Sequence, residues 1–204
     1  MAINLPNWLN LLEHGKDDLF RDLNDMESVL KETQQRIDDK SLSYEFMADD
    51  PTNGFFAVGD PHEELYTAVV FFELGGKQEV QTLVIFTNVN LMMPLRFTLG
   101  YAVAPKLRGQ GRGLAAVNQS LEYFDRFLEK FGPSRRGEFT DQEVEVDVIV
   151  DQENLPSRKL AEKIRPAKCA WQAANEERSR RPCEFFSMPL KATQARKRRP
   201  SLFA

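Results

Sequence analysis

The residues Arg108-Gly-Gln-Gly-Arg-Gly113 sit between an apolar run, Phe97-Thr-Leu-Gly-Tyr-Ala-Val103, and a set of apolar positions at helical spacing, Leu114, Val117, Leu121, Phe124 and Leu128. A strand that enters a glycine-rich loop and leaves as a helix is, on physical grounds, a phosphate site. Gly109, Gly111 and Gly113 let the backbone come close to an anion, and the positive end of the following helix favours negative charge. Arg108 and Arg112 add counter-charge, and Gln110 lies between the glycines. The spacing is neither the dinucleotide fingerprint Gly-x-Gly-x-x-Gly nor a Walker loop with its Lys-Ser/Thr end, so a pyrophosphate is the natural ligand. A loop that only turns a corner would not by itself call for two flanking arginines.

A second stretch with chemical content is Glu143-Val-Glu-Val-Asp-Val148, a strict alternation that puts the valines on one strand face and Glu143, Glu145 and Asp147 on the other. Two carboxylates on one face can attract a cationic amine or relay its proton through water. Any half-exposed strand shows the same alternation, so a solvated sheet face is the competing reading. Asn154-Leu-Pro-Ser157 then opens a short helix carrying Leu160 and Ile164, with Asn as the cap, Pro in the first turn and Pro166 as the stop.

Composition removes other chemistries. The chain has 204 residues, 42% hydrophobic and 28% charged, with Gly and Pro at 11 each, as expected for one globular core. With 31 acidic against 27 basic side chains the net charge is −4, so no broad attraction to nucleic acid or anionic membrane is expected. Only two histidines occur, His14 and His62, neither at metal-ligand spacing and neither near a Gly-x-Ser-x-Gly elbow, so no metal and no histidine-based triad is expected. Cys169 and Cys183 are the two cysteines, and no apolar leader follows a basic start; this suits a reducing, cytoplasmic setting. No apolar run approaches the roughly 20 residues of a membrane span.

These sites need elements to hold them. From Lys16 to Lys40 the residues Leu19, Phe20, Leu23, Met26, Leu30, Thr33 and Ile37 predict an amphipathic helix, with a shorter one over Leu5–Leu12 before Gly15. Asp49-Asp50-Pro51-Thr52-Asn53-Gly54 predicts a turn, after which Phe55–Val58, Leu65–Leu74 and Thr82–Phe86 read as strands, with Gly75-Gly76-Lys77 as a hairpin turn. Leu42–Met47 is a further strand candidate. Cys169–Ala173 and Cys183–Met188 predict a final pair of strands, and Ala195–Pro200 belongs to a basic tail over residues 192–204. The expected organisation is a single domain over 1–191, with N-terminal helices in 1–41 and a core in 97–188.

Leu99-Gly-Tyr-Ala-Val-Ala-Pro-Lys-Leu-Arg-Gly-Gln-Gly-Arg-Gly113 resembles the acetyl-CoA motif of the GNAT family of N-acetyltransferases, whose loop is Gln/Arg-x-x-Gly-x-Gly/Ala; Arg108, Gly111 and Gly113 fill its fixed places. About forty residues on, Val148-Ile-Val-Asp-Gln-Glu-Asn154-Leu-Pro-Ser157-Arg-Lys-Leu-Ala-Glu-Lys163-Ile resembles the family's second block. The resemblance is greatest to the branch with the ribosomal-protein N-terminal acetyltransferases. It implies an α/β (α+β) fold with a mixed, mostly antiparallel sheet flanked by helices and splayed at an acetyl-CoA cleft. Backbone groups of Tyr101, Ala102 and Val103 would meet the pantetheine amides, the amides of Arg108, Gly109, Gln110, Gly111, Arg112 and Gly113 would hold the pyrophosphate, and Asn154 and Ser157 would lie beside the pantetheine arm. Glu145, Asp147 and Tyr101 are the catalytic candidates. The acceptor is an amine, small or protein-borne, and a homodimer stays open.

Two departures from the family pattern bear on catalysis. Ala161 stands where many members carry a tyrosine acid, and Arg165-Pro166 replaces the usual Gly-Phe. They leave a noncatalytic acetyl-CoA-binding or regulatory module as the alternative, beside a partner-binding protein that uses the N-terminal helix and the basic tail.

Overall fold

The structure, a computed structural model, describes residues 25–47, 50–60, 65–90, 96–131, 144–151, 153–164, 168–169, 174–175 and 182–189. They fall into two compact units: one takes the described residues up to Ile85 together with Gly100–Ala116, the other Phe86–Leu99 and the residues from Val117 onward.

The first unit opens with helix α1, Met26–Asp38, whose N-cap Asp25 accepts the Ser28 N–H at 3.1 Å. Hydrogen-bonded serine holds the Asp25 carboxyl below its usual range. Of the helix expected over Lys16–Lys40, residues 16–24 lie outside the described residues, as do the Leu5–Leu12 segment, His14 and His62. The helix ends at Asp38 because Lys40 turns left-handed, φ 57°, and the Ser41 N–H closes back onto the Arg36 carbonyl at 2.9 Å.

Strands β1 (Glu45–Met47), β2 (Asp50–Asp60), β3 (Leu65–Leu74), β4 (Val80–Asn90) and β5 (Arg96–Val103) follow and pair in that order. The turn expected over Asp49–Gly54 is corrected: Asp50–Gly54 belongs to β2. The turn-forming residues act inside the strand, where the register slips between Phe46 and Met47 and Asp50 Oδ1 accepts the Thr52 N–H at 3.0 Å. Gly75–Lys77 does join β3 to β4, as a tight 3₁₀ turn over Gly76–Gln78 with Lys77 at φ 63°. Val29, Leu30 and Ile37 of α1 close a core with Phe56, Val70, Phe72, Leu83, Ile85 and Ala102. Gly100 is required there, since a β-carbon would come within 2.8 Å of Met26 Sδ and 3.0 Å of Ile85 Cγ2.

The second unit holds the remainder of β4, β5 and helix α2 (Arg112–Phe131), with β6 (Glu145–Asp151), α3 (Leu155–Ala161), β7 (Lys168–Cys169), β8 (Ala174–Asn175) and β9 (Pro182–Pro189). Strand order is β5-β6-β9-β7, and β8 also pairs with β9. β5 and β6 run parallel in the register Arg96↔Glu145, Phe97↔Val146 and Thr98↔Asp147, while the partners of β9 are antiparallel to it. Phe124 of α2 stacks on Phe86 at 4.1 Å and meets Phe97 edge-on at 4.9 Å, which seats the helix on the apolar sheet face with Val146 and Met188 fully buried. The strand expected over Cys169–Ala173 is described only at Cys169, because 170–173 lie outside the described residues. The sheet is thus mixed and mostly antiparallel with helices packed on it, the fold class expected. Among the described residues, no helix is long and apolar enough to cross a membrane.

Candidate anion loop and acidic strand

The site builds outward from the end of β5. After Val103 a short 3₁₀ turn, Pro105–Leu107, leads to Arg108, and α2 starts at Arg112. Gly109 and Gly111 both take φ +76°, a left-handed backbone that side chains avoid. A β-carbon on either glycine would meet nothing within 4 Å. Conformation, not crowding, therefore demands glycine at these positions, and the space beside them is open.

The first helical bond runs from the Ala115 N–H to the Gly111 carbonyl at 3.2 Å. The N–H groups of Arg112, Gly113 and Leu114 precede it and have no intrahelical acceptor. They lie at the positive end of a 20-residue helix next to the left-handed glycines, an arrangement that can accept an anion.

Both arginines are held by the protein. Arg108 Nε donates to the Val103 carbonyl at 3.0 Å, and its Nη2 reaches Glu27 Oε2 of α1 at 3.1 Å. Arg112 Nη1 donates to Glu73 Oε1 at 2.8 Å and Nη2 to Gln81 Oε1 at 3.2 Å. Arg108 and its ion-pair partner Glu27 are about half exposed, 51% and 44%, whereas Arg112 is tied to two strands. Gln110 folds back on the loop, donating to the Lys106 carbonyl at 3.1 Å. Of the β5 residues assigned to cofactor contact, Ala102 is buried, Tyr101 and Val103 are half-buried.

In the second unit the alternation on β6 is as expected: Val146, Val148 and Val150 are buried, while Glu145 and Asp147 face the other way. Their face is not simply solvated. Arg96, opposite Glu145 on β5, binds Glu145 Oε2 at 2.8 Å and lies 3.7 Å from Asp147 Oδ2, whose side chain is only 13% exposed. Glu143 lies outside the described residues. Asn154 accepts the Ser157 N–H at 3.2 Å and caps α3, so its side-chain oxygen has a structural task. Ala161 is fully buried in α3.

Glu27, Glu73, Gln81 and Arg96 are the partners that a reading of motifs missed. Their separations along the chain, 81 residues for Glu27–Arg108 and 49 for Arg96–Glu145, leave no periodic signal. A charge opposite a charge on neighbouring strands could have been found only after the strand order was known.

No family model matches the chain, and no curated protein matches it. Solved structures do. The spermidine N-acetyltransferase from Vibrio cholerae in complex with CoA and spermine is 16% identical, over 84% of this chain and 93% of its own, with a TM-score of 0.49. A spermidine/spermine N-acetyltransferase from the same organism, solved in mutant forms, is 14% identical over 64% and 71%, TM-score 0.48. The ribosomal-protein-S5-alanine acetyltransferase from Vibrio fischeri is 13% identical over 61% and 62%, TM-score 0.47. All three of these solved structures are acetyltransferases.

Proposed function

We propose that the chain is an acetyl-CoA-dependent N-acetyltransferase that passes the acetyl group to a primary amine by direct attack in a ternary complex. The observation that carries this reading is the Gly109–Gly113 turn: two left-handed glycines, open space beside them, and helix-start N–H groups without intrahelical acceptors. A pyrophosphate satisfies those donors, and Arg108 supplies a guanidinium by exchanging Glu27 for phosphate. The backbone of Tyr101, Ala102 and Val103 lies next in chain order for the pantetheine amides, as the resemblance implies.

When bound, acetyl-CoA supplies an activated thioester carbon; the amine nitrogen forms the C–N bond, the C–S bond breaks, and the sulfur leaves as thiolate while the nitrogen sheds a proton. Of the acidic pair, Asp147 is the one we take as proton acceptor, because Arg96 makes a close ion pair with Glu145 and only a long one with Asp147. An α-amine titrates near 8 against about 10.4 for lysine, so it asks far less of such a base.

The second reading, an acetyl-CoA-binding module without turnover, rests on Ala161, which offers no hydroxyl where many family members carry tyrosine. Calorimetric titration with acetyl-CoA, beside a variant carrying Gly111→Asp and Arg108→Ala, tests the first step. Micromolar binding that the folded variant loses is expected, and an amine screen with thiol-release detection then separates the two readings. No binding by the wild-type protein sinks both.

A further inference from the structure

Arg112 does not behave as a loop arginine waiting for phosphate. Its guanidinium reaches back from the first residue of α2 to two neighbouring strands, to Glu73 at the end of β3 at 2.8 Å and to Gln81 at the start of β4 at 3.2 Å. Glu73 is itself fixed, since its second oxygen accepts from the buried Thr82 hydroxyl at 3.3 Å. Gln81 has its place because Gly75 leaves room: a β-carbon there would fall 1.8 Å from Gln81 Nε2. The side chain of Glu73 is 24% exposed and that of Arg112 39%, so the pair is partly shielded and stronger than an open surface contact.

We infer that Glu73, with Gln81, is a positioning residue for the anion loop: it holds Arg112, and through Arg112 the start of α2, at the angle that aims the Gly111–Leu114 N–H groups at one point. The inference rests on the reading of this loop as the acetyl-CoA site, and it removes the Arg112 side chain, though not its backbone N–H, from the ligands of the pyrophosphate. The charge that meets phosphate is then Arg108 plus the helix start.

The two possible roles of Arg112 predict opposite signs for one substitution. Should Arg112 bind phosphate directly, Glu73→Gln frees it from a competing carboxylate and tightens acetyl-CoA. Where Glu73 positions the loop, the same change loosens it and weakens acetyl-CoA about tenfold, the factor a lost charge-assisted hydrogen bond carries. Arg112→Met should weaken binding by a similar factor, and the double variant by no more than the larger single effect, because both changes cut one connection. Gln81→Met gives a second route to the same loosening if Glu73→Gln fails to fold. Amide exchange in the free protein reads the loop without ligand: the Ala115 N–H, first hydrogen-bonded donor of α2, should exchange several-fold faster in Glu73→Gln. Weaker binding together with faster exchange supports the inference. Unchanged or tighter binding overturns it, as does unchanged exchange at Ala115. Wild-type protein that does not bind acetyl-CoA removes the transferase reading, and the exchange comparison still decides whether Glu73 holds the loop.

Discussion

The Arg108–Gly113 loop and the Glu145–Ser157 stretch both carry polar residues at telling spacing, yet the folded chain uses them differently. In the loop the backbone is left with donors that nothing in the helix can satisfy, and glycines keep the approach open. In the second stretch two of the polar groups are absorbed by the protein: Arg96 takes Glu145, and Asn154 takes the Ser157 amide, while Asp147 keeps only a long contact with Arg96. The difference teaches that a ligand site is marked less by the kind of polar residue than by whether the fold has already satisfied it.

Gly111→Asp should break the loop most completely. It forces a side chain into φ +76° and places a carboxylate where the phosphate would sit, so acetyl-CoA affinity should fall about a hundredfold or more in calorimetry while the circular dichroism spectrum is kept. An affinity that survives would remove the loop from the site. Arg108→Ala comes next, at about tenfold weaker binding with a flattened salt dependence, since one partly exposed guanidinium is lost and the amides remain.

Asn154→Ala sharpens the contrast from the other side. Loss of the α3 cap should cost about 1 kcal/mol in denaturant unfolding with acetyl-CoA affinity unchanged. Should affinity fall as well, Asn154 also contacts the cofactor, as the family resemblance implies, and the second stretch is less absorbed than its hydrogen bonds suggest. The smallest effect belongs to Asp25. Its folded carboxyl titrates below the ordinary value, so its contribution to α1 is present above that ordinary value and is lost as pH falls through the lower folded one. Thermal melts of wild type and Asp25→Asn should differ near neutral pH and converge in acid; parallel curves down to the lowest pH would show that the cap does not titrate.

Much of the fold was legible because its signals are local. Period-2 valines marked β6, apolar spacing marked α1 and α2, and glycines with flanking arginines marked the loop, each within one continuous stretch of chain. Asp50–Gly54 was misread for the same reason: turn residues predict a turn wherever they stand, and only pairing with β1 turns them into a bulge inside β2. Lys40 ends α1 with no glycine to announce it.

What the sequence by itself determined was the order of elements and the conformation of the loop, since both follow from side-chain periodicity and from the freedom of Gly109 and Gly111 at positive φ. Only the tertiary structure decided how the charges are spent. Glu27, Glu73 and Arg96 are unremarkable in the chain, and they matter because α1, β3 and β5 carry them to Arg108, Arg112 and the acidic strand. Electrostatic pairing depends on distance across the fold, and distance across the fold is not written in any short stretch of residues.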